Sequence, residues 1–171
     1  MHRPFPTLLL SILAASAAAA ELPPTPDESR YPQLVAMKRW LENGSPASRH
    51  CAMSGGLFAE ASALYRSNRS EPQTLETMMK RHGADLSATD RERLRPTMTH
   101  VAGMAAGFAD LAADSATIAY AQLCIGRARQ PGAVLSNERI RAQFEAAMRC
   151  DRAHAEGTLE RKECVAKAFR L

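Results

Sequence analysis

The sequence predicts an all-α protein: a single-domain antiparallel helical bundle of five to seven helices, stapled by two disulfides and preceded by a cleaved signal peptide. Three observations predict it. Apolar residues recur at three- and four-residue spacing in segment after segment of the 171-residue chain, and no segment sustains the period-two alternation of a half-buried strand. Paired stop and start signals, such as Gly83 before Ser87 and Gly157 before Thr158, divide those segments by short connections. Four cysteines, an even number, follow a leader with the pattern of an export signal.

That leader opens with His2-Arg3 and continues as an uncharged apolar run from Thr7 to Ala20. Ala18-Ala19-Ala20 offers a small-x-small cleavage point before Glu21, so residues 1–20 are read as a secretory signal peptide. The apolar run is shorter than the ~20 residues a membrane span needs. No cysteine stands near the cleavage point to carry a lipid. Residues 21–30, with Pro23, Pro24 and Pro26, form a flexible extended leader, and residues 31–171 form the helical domain.

The first helix is expected over Tyr31–Asn43, where Leu34, Met37, Trp40 and Leu41 make one apolar stripe and Asn43-Gly44 ends it in a left-handed turn. Ser45-Pro46 starts a second helix that reaches Ser67, with Cys51, Ser54, Phe58, Ala61 and Tyr65 on one face. Gly55-Gly56 inside it implies close approach of a neighbour. Ser70-x-x-Gln73 is a capping box for a third helix that ends at Gly83. A short charged helix is expected from Asp90, after the overlapping starts Ser87-x-x-Asp90 and Thr89-x-x-Glu92, and Pro96 kinks or breaks it. Thr97–Arg129 then reads as one long central helix striped by Val101, Met104, Phe108, Leu111, Ile118 and Ile125. Its Gly103-x-x-x-Gly107 admits a neighbouring helix closely. Ser136 caps a helix with Ile140, Phe144, Ala147 and Met148 inward, ending near Gly157, and Thr158 caps a last helix to Phe169.

The cysteines are Cys51, Cys124, Cys150 and Cys164. In an exported chain they read as two disulfides. Sequence alone admits three pairings. Cys150 and Cys164 flank Gly157 at about two turns on each side, so antiparallel helices bring them level, which leaves Cys51 with Cys124. The competing reading is zinc held by Cys150, His154 and Cys164 with His50-Cys51, but no Cys-x-x-Cys knuckle is present.

Composition excludes several classes. Lys and Arg number 22 against 18 Asp and Glu, a net charge of +4 that falls to +3 when Arg3 is removed with the signal peptide. That field is too weak to argue for nucleic acid, and Arg91/Arg93/Arg95, Arg127/Arg129 and Arg139/Arg141 are interleaved with acids; they read as solvated surface ahead of a basic face for an anionic envelope or an acidic protein partner. A nucleophile elbow, a phosphate loop, a His-Glu-x-x-His helix and a haem attachment motif are all missing. Three weaker constellations remain. Asp110 and Asp114, four apart, would share a face of the central helix as a metal or general-acid pair, or, as the favoured reading, as a solvated strip or an ion pair with arginine. Asp151-x-x-His154, with Glu156 near, would orient an imidazole or form a surface acid–histidine pair. Met98, His100 and Met104, with His154 as a further donor, would suit copper, although Met98 and His100 point in different directions on a helix.

The expected function is that of an exported, periplasmic or secreted, non-enzymatic helical protein without a cofactor: a protein-binding, inhibitor or immunity, or chaperone-like envelope factor. Its expected partner is another envelope or secreted protein, not nucleic acid, and the mature chain has no stable transmembrane insertion. The alternative is a periplasmic metal-handling protein for copper or zinc.

Overall fold

A computed structural model describes residues 27–132 and 136–169. The expected signal peptide and residues 21–26 of the leader lie outside the described residues. Among the described residues there are seven α-helices and no strand: α1 (Pro32–Glu42), α2 (Pro46–Arg66), α3 (Glu71–Gly83), α4 (Ala88–Ala106), α5 (Ala113–Arg129), α6 (Asn137–Ala153) and α7 (Leu159–Ala168). None of the helices is long and apolar enough to cross a membrane. The end of the leader is not extended. Glu28–Arg30 make a 3-10 turn, with the Asp27 carboxylate accepting the Ser29 amide.

The predicted caps are mostly present. Ser87, Ser136 and Thr158 accept the amides of Asp90, Arg139 and Arg161, and Gln73 accepts the Ser70 amide. Ser87 rather than Thr89 sets the start of α4, so that helix begins at Ala88. Ser45 holds the cap position of α2 without a side-chain bond. Asn43-Gly44 does not turn left-handed; Asn43 has φ −97°. Gly44 is instead required by crowding, because a Cβ there would collide with the Trp40 carbonyl and Ser48. The left-handed glycine is Gly157, φ +78°, in the turn between α6 and α7, and α6 itself stops earlier, at Ala153.

The central segment departs most from expectation. α4 runs through Pro96 without ending. Proline there removes the bond to the Glu92 carbonyl, a cost of about 3 kcal/mol in a helix interior. Glu92 and Pro96 are both exposed, which leaves that carbonyl open to water, while Met98, Val101, Ala102 and Ala105 are buried just beyond and anchor the helix. The break falls instead at residues 107–112, so Thr97–Arg129 is two helices. Leu111 is fully buried there, and Phe108 stacks on Phe144 with ring centroids 4.3 Å apart. The polar groups the break exposes are satisfied from far away in sequence. Arg66 donates to the carbonyls of Ala109 and Leu111, and the Asp151 carboxylate accepts the Ala112 amide at 2.7 Å.

α2 packs chiefly on α5 and α4, α3 on α4 and α2, and α7 on α6, α5 and α1. Buried side chains from α2 to α7 and the connections join in one cluster. Its centre is a run of rings: Tyr120 stacks on Phe58, Phe58 meets Phe144 at 5.3 Å, and Phe169 meets Phe144 edge-on at 5.1 Å. Alanines fill the remaining contacts, with Ala61, Ala105, Ala116, Ala119 and Ala147 fully buried. Gly55 is where α2 and α5 approach closest to a clash; a Cβ would lie 2.5 Å from the Thr117 carbonyl oxygen.

Cys51–Cys124 ties α2 to α5 and Cys150–Cys164 ties α6 to α7, with Cα–Cα distances of 5.4 and 5.7 Å. The pairing matches the one inferred from the hairpin. By loop entropy the bridges, spanning 73 and 14 residues, contribute about 4 and about 3 kcal/mol.

Candidate functional site

The acidic residues singled out in the sequence turn out to hold helices together. Asp110 lies in the break and Asp114 in the first turn of α5, so they share no helix face. Asp151 does not orient the His154 ring. Its carboxylate accepts the Ala112 amide and the Ser115 hydroxyl, and so caps the start of α5 from α6. Arg161 of α7 enters this knot with its side chain 8% exposed. Its guanidinium lies 3.7 Å from the Asp151 carboxylate and 3.9 Å from that of Asp114. It also donates to the carbonyls of His154 and Asp151, satisfying the C-terminus of α6. Asp114 further accepts the Gly157 amide. Carboxylates committed in this way join α5, α6 and α7, and the arginine-paired reading of Asp114 holds.

The metal constellations disperse. Met98 is buried in the core, away from His100, which is exposed, and Met104, which is half-buried four residues on along the same face of α4. His154 lies elsewhere, in a hollow beside Tyr31 and Glu160. All four cysteines are bridged, so none supplies a thiolate for zinc. Among the described residues, no group of three or more His, Cys, Asp or Glu is placed to hold a metal ion.

A different site emerges on the surface between α4, α6 and the end of α5. It is a groove of about 740 Å³. Met104 and Phe108 line one side, Ile140 and Met148 the other, and Gly103 and Gly107 lie along the α4 wall. Met104 stands on the last turn of α4 and Phe108 in the turn just after it, while helical periodicity sets Ile140 and Met148 eight apart on one side of α6. Arg127, Arg141, His100 and Glu145 supply its charge and polarity. A second hollow of about 370 Å³ lies beside it and shares His100 and Arg127; His50, Tyr120 and Cys124 line its far side.

Electrostatics in this region are set by desolvation and by Arg127. Partial burial, and then the positive charge of Arg127, hold the His100 imidazole below the ordinary histidine range. Burial pushes the Tyr120 phenol up, with Arg127 opposing. At neutral pH the site therefore presents a neutral imidazole, a protonated phenol and two guanidinium groups. Among the described residues, neither Arg127 nor Arg141 has an ion-pair partner. No hydrogen bond joins His100 to a hydroxyl nucleophile among those residues. Such a lining has the chemistry to accept apolar groups and anions.

The sequence places Met104 and Phe108 on an apolar stripe, and it favours solvated surface for Arg127 and Arg141 over a basic face for an acidic partner. The signal for Arg141 was its spacing, since Arg141, Glu145 and Met148 follow one edge of α6 at four and three residues. Nothing in the sequence brought Arg127 of α5 to that edge. No protein-family model, curated protein or solved structure matches this chain, so the chemistry of the groove rests on its own geometry.

Proposed function

We propose that this is an exported, periplasmic or secreted, non-enzymatic helical protein that binds another envelope or secreted protein through the groove between α4 and α6. The single observation carrying this reading is the lining of the groove. Half-buried Met104, Phe108 and Met148 offer apolar contact at the surface over the buried Ile140, flanked by Arg127 and Arg141, which have no ion-pair partner among the described residues. Flexible thioethers beside aromatic groups adapt to a protein partner, and apolar concavities with a polar rim are typical interaction sites. Export is supported by the leader pattern at residues 1–20 and by cysteines that are all paired.

The test is a photo-cross-linking residue placed at position 104 of the protein expressed in its own host, with the same residue at Lys80 on α3 as control. The proposal expects a defined protein adduct from 104 and none from 80. Equal labelling at both positions, or none at 104, rejects it.

A second reading keeps one specific observation. His100, Met104 and Met148 line the same groove, and imidazole with thioethers suits a soft cation such as cuprous copper. Arg127 beside His100 opposes any cation there, and for that reason the protein-binding reading is preferred. Titration with cuprous ion against a competing chelator separates the two. Stoichiometric binding lost in Met104→Leu would favour copper.

A further inference from the structure

We infer that the groove takes an acidic amphipathic α-helix of another exported protein, an assignment that rests on the protein-binding reading above. Charge selects the acidic partner. Arg127 and Arg141 face the groove without ion-pair partners among the described residues; Glu145 is the one carboxylate in the lining, and Glu71 reaches the Gly103 wall from outside it. An incoming Asp or Glu side chain would complete both guanidinium groups, and complementary charge sets register and partner choice. The apolar floor selects an amphipathic segment. Met104 and Phe108 on one side and Ile140 and Met148 on the other form a trough into which anchors spaced at three, four and seven residues insert.

The glycines select a helix over an acyl chain. Gly103 and Gly107 lie one turn apart on the groove wall, both exposed. A Cβ at Gly103 would meet only the Glu71 carboxylate, at 3.7 Å, and one at Gly107 only the Met104 carbonyl, at 3.8 Å. Both are ordinary contacts. Gly107 has φ −77°, which any residue adopts. Packing inside the molecule therefore requires glycine at neither position, in contrast to Gly55, where a Cβ would lie 2.5 Å from a backbone oxygen. Glycine disfavours a helix relative to alanine, so Gly103 carries a cost to α4, and with Gly107 at the cap it leaves a shelf one turn long. A shelf of that kind lets a second helix backbone approach closely. Flexible acyl chains gain nothing from it.

The test is fluorescence anisotropy on the purified, disulfide-bonded protein. The probes are a labelled 16-residue Ala/Leu-faced helical peptide carrying glutamates on its flanks, the same peptide with lysines in their place, and oleate as competitor. The expected result is saturable binding of the glutamate peptide, at least tenfold weaker binding of the lysine peptide, and no displacement by stoichiometric oleate. Gly103→Ala and Arg127→Gln should each weaken the glutamate peptide at least tenfold, and circular dichroism should show Gly103→Ala folded with an unchanged or higher melting temperature. Equal binding of the two peptides, undiminished binding by Gly103→Ala, or displacement by oleate overturns the inference. If a protein adduct still forms at position 104 in those cases, the groove binds protein of another chemistry. If no adduct forms, the protein-binding reading falls with it.

Discussion

Arg161 shows why the acidic motifs of this sequence are structural. One guanidinium, almost wholly buried, faces two carboxylates and closes three bonds to the carbonyls of Asp151 and His154. Removing it strands Asp114 and Asp151 in a poorly solvated pocket. Arg161→Met should therefore destabilise the fold by about 3 kcal/mol, the lower end for breaking a buried pair because both acids retain some water contact. Urea denaturation checks this. Gly55→Ala sets two effects against each other. Alanine improves helix propensity by up to ~1 kcal/mol, but its Cβ would lie 2.5 Å from a backbone oxygen that cannot swing away. Overpacking of that kind costs ~1–3 kcal/mol, so the variant should be less stable, with a lower denaturation midpoint. His100 gives a pH signature. Its folded-state pKa lies below 6.5, lowered first by desolvation and then by Arg127. The unfolded chain thus binds more protons than the folded one just below pH 6.5. Whatever stability His100 contributes is present above that pH and is lost as pH falls through the folded pKa. Proton NMR should show the His100 ring titrating below its ordinary value. Arg127→Gln should raise that pKa only part of the way, since desolvation remains; no movement would remove Arg127 from the account.

At the scale of elements, α1 is attached in an unusual way. It has no buried residue. Its N-terminus is held by the Glu163 carboxylate, which accepts the amides of Gln33 and Leu34 at 3.1 and 3.0 Å, and its far end by Arg129 stacked on Trp40. Carboxylates at a helix N-terminus are favoured by the aligned peptide dipoles. Glu163→Gln should loosen α1 by about 1 kcal/mol. Trp40 is the single tryptophan, so its emission reports the change: it should shift to the red while the far-UV melt of the other helices stays in place. Emission unchanged from the parent would show that apolar contact alone holds α1. The helix boundaries illustrate what a linear reading captures. Caps at Ser70, Ser87, Ser136 and Thr158 were legible because their partners lie three residues away. The break at residues 107–112 was not, because Arg66 and Asp151, which satisfy it, lie about forty residues off in either direction. Pro96 misled for a related reason, since the buried face after it outweighs the bond it removes.

At the scale of the molecule, the low aromatic content of 5% acquires a structural meaning. Few rings are present, and Phe58, Phe108, Tyr120, Phe144 and Phe169 are gathered into one connected cluster, with alanines letting helices close around it. The helical class and the cysteine pairing were legible in periodicity and hairpin spacing. The groove was not. It is assembled from α4, α5 and α6 at once, and Arg127 and Arg141, without ion-pair partners among the described residues, look in sequence much like any solvated charge. The central claim is that this groove, with glycines the fold does not itself require, is a docking face for another protein. The most direct measurement is the yield of photo-cross-linked adduct at position 104 in the Gly103→Ala background, compared with the parent at equal protein level. The account predicts that the adduct falls at least tenfold while the protein remains folded. An undiminished adduct would contradict it.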